Sequence, residues 1–341
     1  LSLAEVNAIG QSQSGSANRV VTIAMPEQAG AAVPTEAEVR SVFGKVLASS
    51  ITPWTETVVD GALVPVAPVA GRIVAERTIT GPGITEWMLS NGIRVLIKPT
   101  DFNNDQILMT AWSPGGGSLV SDAEALTAAL APAIIQQGGV GTFSAIDLRK
   151  KLTGKVANVS AQIGDLSEGL SGSASPRDLE TMLQLAWLRV TAPRADTAVF
   201  KAFLQQYETV IKNKDANPQL VFQDTIQMTL GAGHPRVRPL SLDMLKEFDL
   251  GRMLTLYKDR FADVGDMTVV FVGNVDLATL KPLVAQWIAT LPATGRKETW
   301  KETGPKPLAG QITKLVKKGL EPTSSTIVLL SGSAPYSREQ A

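Results

Sequence analysis

The chain has 341 residues with 32 basic and 32 acidic side chains, one histidine and no cysteine. This composition excludes metal sites built from histidine and cysteine, and it excludes cysteine nucleophiles. The charges balance without a basic block and no apolar run is long enough to span a bilayer, so the sequence predicts neither nucleic-acid binding nor membrane insertion.

Residues 1–70 contain two short predicted elements followed by a linker. Residues 19–24 have the apolar pattern of a buried strand, and apolar residues recur at helical spacing over 34–47, with Thr35 as the candidate N-cap. Residues 51–69 are rich in Pro and Val without periodicity, which is typical of an extended linker. We interpret the whole region as the tail of a preceding domain and the connection to the next.

Residues 71–300 carry the patterns of a complete domain. A β-hairpin is predicted over 86–98, because Asn91-Gly92 suits the two positive φ angles of a type I′ turn. Apolar and alternating patterns predict further strands at 105–113, 157–163 and 267–272. One more strand is predicted after the turn at 164–165, ending near residue 173. Cap signals and helical spacing predict helices at 122–137, 145–152 and 277–290. Four further helices are predicted to begin at the cap residues Ser175, Asp196, Asn217 and Asp249. Strands in hairpins and helices in runs predict an α+β fold, with an antiparallel-rich sheet and helices packed on one face.

Residues 301–341 are interpreted as the start of a further, similar domain, with strand patterns at 311–316 and 325–330. Ser337 and Gln340 match a capping box, which predicts a helix that continues past the last residue. We therefore expect the chain to be an internal piece of a longer protein.

Four features could carry chemistry, and for each we favour a structural interpretation. The glycine-rich turn 113–118 lacks the residues of a P-loop, and the strand and turn at 270–276 have one glycine where a dinucleotide fold needs three. His234 lies in a basic, proline-flanked segment, which indicates a loop histidine rather than a catalytic base. Glu208 is expected to be a solvated surface charge. Three aromatic residues on apolar helical faces are expected in the core: Tyr207, Tyr257 and Trp287.

The helix predicted at 122–137 ends shortly before Gly141-Thr142 and Phe143. This frame resembles the zinc-site helix of the pitrilysin/insulinase family of peptidases, whose catalytic members carry His-x-x-Glu-His just before the Gly-Thr. Counting back places that motif on 132–136, where the ligand and catalytic positions are occupied by Pro132, Ile135 and Gln136. Because these side chains cannot ligate zinc, the chain resembles a non-catalytic half of such a peptidase, without metal or catalytic residues. Leu130, Ile134 and Ile135 are expected to be packed core residues.

Shorter motifs extend the resemblance, and their order and spacing are more specific than any one of them. They are found at 87–95, 100–102, 113–116, 152–155, 234–236, 257–261, 271–274 and 288–292. The mitochondrial-processing-peptidase-like fold of this family implies two halves, each of two α+β domains, which close around a peptide.

The resemblance also implies the partners of the chain. The N-terminal half of the same protein would hold the zinc and hydrolyse the peptide bond as a metalloendopeptidase, and this chain would help to enclose and bind the peptide. A periplasmic or cell-envelope location in a bacterium is implied as well. An Arg and Tyr pair assists catalysis in such proteins, but neither Tyr336 nor Arg338 has the surroundings of that pair.

Peptide binding is predicted at the strand 157–163, where the polar residues Asn158, Ser160 and Gln162 share one face. An open strand edge can pair with an extended peptide, although an ordinary solvated sheet face fits the same pattern equally well. Two other functions stay open at this point. One is a parent protein that serves as a structural or scaffold subunit of the same fold. The other, less in keeping with the motifs, is a nucleotide-binding enzyme.

Overall fold

A computed structural model describes most of the chain, namely residues 2–13, 18–25, 30, 32–50, 52, 61–239, 241–306, 308, 310–319, 323–330, 332 and 337. The chain divides into two compact units, Leu1–Glu56 and Thr57–Ala341. The predicted domain limits near residues 70 and 300 stay predictions.

Two helices lie in the described part of the first unit, α1 (Leu3–Gln13) and α2 (Glu36–Ala48). The predicted helix at 34–47 and its cap are confirmed, since Thr35 and Glu38 form a complete capping box. The strand predicted at 19–24 is wrong, because these residues are irregular and exposed. A strand needs the backbone groups of a neighbouring strand, and the described part of this unit contains none.

A mixed sheet forms the centre of the second unit. Its strands are β1 (Ile73–Ile79), β2 (Ile84–Leu89), β3 (Arg94–Pro99), β4 (Ile107–Pro114), β5 (Ala157–Ile163), β6 (Ser167–Ala174) and β7 (Thr268–Gly273). The order across the sheet is β1-β2-β3-β7-β4-β6-β5, so β1 and β5 are the edges. All neighbours pair antiparallel except β3 and β7. The predicted α+β class is confirmed.

The hairpin between β2 and β3 is confirmed, but its predicted turn type is wrong. Gly92 has a φ of 92°, whereas Asn91 does not have a positive φ. The Gly92 N–H donates to the Leu89 oxygen at 3.0 Å, so the loop is a turn followed by a left-handed glycine. The Asn91 side chain instead donates to the main-chain oxygens of Ile288 and Leu291. These long-range hydrogen bonds favour the observed turn.

Eight helices follow in the described part of the second unit. They are α3 (Ala125–Gln137), α4 (Ala145–Lys151), α5 (Leu179–Thr191), α6 (Thr197–Lys212), α7 (Pro218–Gly231), α8 (Leu242–Glu247), α9 (Leu250–Arg260) and α10 (Leu277–Leu283), the last continued by a π-helical turn (Val284–Ile288). The predicted caps are confirmed at Ser144, Ser175, Asp196, Asn217 and Asp249. Strand β1 and the six-residue α8 were not predicted from the sequence, and α8 is too short to show helical periodicity.

The core lies between one face of the sheet and the helices. In β4, Ile107, Met109 and Ala111 are buried, whereas Leu108 and Trp112 are 46% and 48% exposed. The helices α3 and α5 pack against the buried face at β5, and α3 also packs against α9. The other face of the sheet is therefore open in the described structure, with Leu108 and Trp112 on it.

The strands predicted at 311–316 and 325–330 are wrong. Residues 310–319 and 323–330 are irregular and mostly exposed, and they pair with no strand among the described residues. Their apolar side chains, such as Ile312 and Ile327, instead border a groove along α7. Of the capping box predicted at the C-terminus, Gln340 lies outside the described residues.

Candidate functional site

The helix α3 brings the positions of the degenerate motif to the edge of the sheet. Pro132 and Ile135 are buried in the core, and Gln136 is half-buried at the end of the helix. Ile134 is also buried and Leu130 packs against the core, as expected from the sequence. No group of three His, Cys, Asp or Glu side chains that could hold a metal occurs in the described part of the chain. The side chains on α3 do not fit a zinc ion.

Two arginines fix the end of α3. Arg189, only 8% exposed, donates through Nη1 to the main-chain oxygens of Gln136 and Gly139, both at 3.2 Å. Arg194 donates through Nε to the Gly138 oxygen at 2.9 Å. Burial lowers the pKa of Arg189, but the negative end of the helix dipole favours a cation there. These contacts hold the Gln136 backbone in place beside β5.

The backbone of β5 has one paired side and one open side. The Ser175 N–H donates to the Val156 oxygen at 2.9 Å, and the Gly164 N–H donates to the Ser167 oxygen at 2.8 Å. These two hydrogen bonds determine which residues of β5 form hydrogen-bonded pairs with β6. Hydrogen-bonded pairs alternate along an antiparallel ladder. The backbone groups of 158, 160 and 162 therefore face β6, and those of 157, 159, 161 and 163 face the open edge.

The open edge is in contact with α3 at one point. The side-chain oxygen Oε1 of Gln136 accepts a hydrogen bond from the Ala161 N–H at 3.1 Å. The neighbouring outward N–H groups, those of Val159 and Ile163, have no hydrogen-bond partner among the described residues. No local sequence signal predicts this contact, because it joins residues 25 positions apart.

The three predicted binding residues share the open face of the sheet, as their alternation indicates. Asn158 donates to the Ser173 hydroxyl at 2.8 Å, and the Ser160 hydroxyl lies 2.9 Å from that of Ser171. Gln162 is exposed. Two of the three polar groups thus already have partners within the sheet, and their role in binding stays a prediction.

Trp112 lies on the same open face as Gln162, two strands away, and no pattern in the sequence singled it out. In the sheet register Trp112 is paired with Gly169, which in turn is paired with Gln162. A Cβ atom at position 169 would clash with the Ala111 main-chain oxygen, so the close strand approach requires glycine. The missing side chain leaves one flank of the exposed indole ring uncovered.

The glycine-rich turn at 113–118 has a structural role. The N–H groups of residues 115, 117 and 118 donate to main-chain oxygens of the 164–166 turn at 2.7 to 2.8 Å. The Gly116 N–H donates to the Glu168 carboxylate. The N–H groups of residues 115–118 are thus all used within the protein, in agreement with the structural interpretation.

Glu168 is the most perturbed carboxyl group near this turn. It is 2% exposed, accepts a hydrogen bond from the Ser113 hydroxyl at 3.3 Å, and lies 3.8 Å from Arg260 Nη1. Arg260 is also buried and forms a bidentate ion pair with Glu298 at 2.9 and 3.0 Å. Burial raises the pKa of Glu168 to about 7, although the Gly116 N–H and the Arg260 charge act in the opposite direction.

The remaining candidates are structural. The His234 ring nitrogen Nδ1 accepts a hydrogen bond from the Arg236 N–H at 3.2 Å within its own turn. Glu208 forms an exposed ion pair with Lys212 one helical turn later. The aromatic residues expected in the core pack there or against it, with Tyr257 and Trp287 buried and Tyr207 half-buried.

Comparisons with known proteins agree with this fold. No family model matches the chain. It is 26% identical over 243 residues to an Arabidopsis thaliana protein named zinc protease PQQL-like, covering 71% of this chain and 23% of that protein. The chain thus spans about a quarter of that relative's length.

Two solved structures share the fold. The periplasmic protease PqqL from Escherichia coli matches with a TM-score of 0.65 and 19% identity, over 80% of this chain and 30% of that one. Pitrilysin matches with a TM-score of 0.53 and 13% identity, over 71% of this chain and 26% of that one. No helix in the described residues is long and apolar enough to cross a membrane. These comparisons support a pitrilysin/insulinase-type fold, and the chain is similar to the C-terminal half of such zinc peptidases.

Proposed function

We propose that the chain is a non-catalytic domain of a zinc metallopeptidase that helps to enclose and bind the peptide substrate. The zinc and the hydrolytic chemistry would belong to the N-terminal half of the same protein. The observation that carries the proposal is the open edge of β5 beside a helix whose motif positions are filled by Pro132, Ile135 and Gln136. We further propose a periplasmic location, which the likeness to the periplasmic protease PqqL supports.

The geometry offers two kinds of contact to an extended peptide. The outward backbone groups of β5 can form ladder hydrogen bonds, which are independent of the peptide sequence. Side chains of β5 on the open face, Asn158 and Gln162 among them, can contact alternate side chains of the bound peptide. Binding to this wall alone would be weak, because a peptide on one open edge buries little surface.

We expect the isolated chain to bind no stoichiometric zinc and to cleave no peptide. It has one histidine and no cysteine, and its α3 side chains offer no ligands. Metal analysis of a tag-free sample, with a peptide cleavage assay in the presence and absence of a chelator, checks this. Stoichiometric zinc or chelator-sensitive cleavage would contradict the assignment of catalysis to the other half.

Peptide binding is expected to increase when the catalytic half is added. The experiment titrates unstructured peptides into this chain alone, into a catalytically silenced N-terminal half alone, and into both together. Binding to both should exceed the sum of the separate signals, because the closed chamber buries more of the peptide. No gain from the combination would favour the scaffold alternative.

Matched variants locate the binding surface. Gln162→Ala on the open face should weaken binding several-fold, in the range of one lost hydrogen bond. Thr78→Ala, an exposed polar change on the opposite edge strand β1, should leave binding unchanged. Equal effects of the two variants would show that the β5 side is not the binding surface.

A further inference from the structure

Gln136 occupies a central position on the open edge of β5. The four outward-facing residues of the strand are 157, 159, 161 and 163, and the Gln136 side chain holds the N–H of the third. A side-chain amide carries the same acceptor and donor groups as a peptide bond. Gln136 therefore takes the place that one backbone group of an added strand would take.

The anchor of this contact is rigid, whereas the contact itself can be exchanged. The main-chain oxygen of Gln136 is held by buried Arg189, and the Tyr257 hydroxyl donates to the Arg189 oxygen at 2.9 Å. The Gln136 side chain is half-buried, and its nitrogen Nε2 has no hydrogen-bond partner among the described residues. Its amide can therefore leave the strand without disturbing the helix.

We propose that Gln136 is a removable cap on the β5 edge, which an extended peptide must displace in order to pair along the whole strand. The inference rests on the proposed function, since it concerns the same edge. The cap divides the open edge into residues 157 and 159 on one side and Ile163 on the other. Side chains that occupy an open strand edge are also a common protection against edge-to-edge pairing.

Two substitutions test the hydrogen bond of the Gln136 side chain without changing the rest of the helix. Gln136→Met removes the acceptor and keeps an unbranched side chain of similar length, whereas Gln136→Glu keeps an acceptor that can replace Oε1. Neither substitution alters the main-chain oxygen that Arg189 holds. Circular dichroism and the urea midpoint verify that both variants fold.

The first measurement is amide hydrogen exchange by NMR, which does not depend on peptide binding. In the unaltered chain the Ala161 amide should exchange about tenfold more slowly than those of Val159 and Ile163. Gln136→Met should abolish this difference and Gln136→Glu should retain it. An Ala161 amide that exchanges equally fast in the unaltered chain and in Gln136→Met would overturn the proposal, whatever the result for peptide binding.

The second measurement is the affinity for one unstructured peptide, in the presence of the silenced catalytic half. Gln136→Met should bind about three- to tenfold more tightly, the range expected when no existing hydrogen bond has to be broken. Gln136→Glu should bind as the unaltered chain does. Unchanged affinity of Gln136→Met, when Gln162→Ala weakens binding, would overturn the cap and leave the proposed function standing. If no form binds peptide, the proposed function fails and the removable cap fails with it.

Discussion

Replacing Ile135 with alanine is expected to lower the free energy of unfolding by about 2–5 kcal/mol. The side chain is 1% exposed and lies in the core, on the face of α3 that packs against β5 and α9. Truncation removes apolar contacts and leaves a cavity, because a helix fixed at its end by Arg189 and Arg194 cannot easily move to fill it. Urea denaturation, followed by circular dichroism, measures the loss as a lower midpoint.

The chain offers a matched control for this substitution. Ile146 lies on the short helix α4 and is 68% exposed, so Ile146→Ala removes the same atoms from the surface. Its effect should stay within about 0.5 kcal/mol. Equal midpoints for the Ile135 and Ile146 variants would show that α3 is not packed as described, and that its alignment with the zinc-site helix is shifted.

The parts of the fold that could be predicted from the sequence are those with local signals. Strand β5 shows uninterrupted alternation, and five caps mark helix starts with a polar side chain or a following proline. Ile135 is apolar where a catalytic relative carries the glutamate of the motif, and its burial follows from that. Each of these signals lies within a few residues of the element that it predicts.

The parts that could not be predicted depend on partners distant in the sequence. An apolar run such as 19–24 or 311–316 forms a strand only beside another strand, and its own residues do not reveal whether one is present. The turn type at Asn91 is decided by carbonyl oxygens about 200 residues away. Gln136 and Glu168 likewise acquire their roles from Ala161 and Gly116 in the folded chain.

The stability of the protein is expected to fall between about pH 5 and pH 8, and Glu168 should be one cause. Burial raises the pKa of this carboxyl group from 4.5 to about 7. Between these values the unfolded chain has lost the proton and the folded chain retains it, so rising pH favours unfolding. Well above pH 7 both states are ionised and the loss is complete, at about 3 kcal/mol.

Glu168→Gln should remove this dependence. The amide oxygen can still accept from the Gly116 N–H and the Ser113 hydroxyl, but the side chain no longer titrates. The free energy of unfolding of the variant, relative to the unaltered chain, should therefore rise by about 2–3 kcal/mol from pH 5 to pH 8. Urea midpoints at several pH values measure this difference.

Comparing the two proteins at each pH cancels the titration of other groups. Asp263, for example, is buried, which raises its pKa, but hydrogen bonds from Thr294, Gly265 and Arg296 lower it to about 2 in both proteins. Glu180→Gln, a change at an exposed position of α5, controls for the loss of one carboxylate from the surface. Parallel pH profiles for Glu168→Gln and the unaltered chain would mean that Glu168 is already ionised near pH 5. The ion pair with Arg260 would then outweigh the cost of burial.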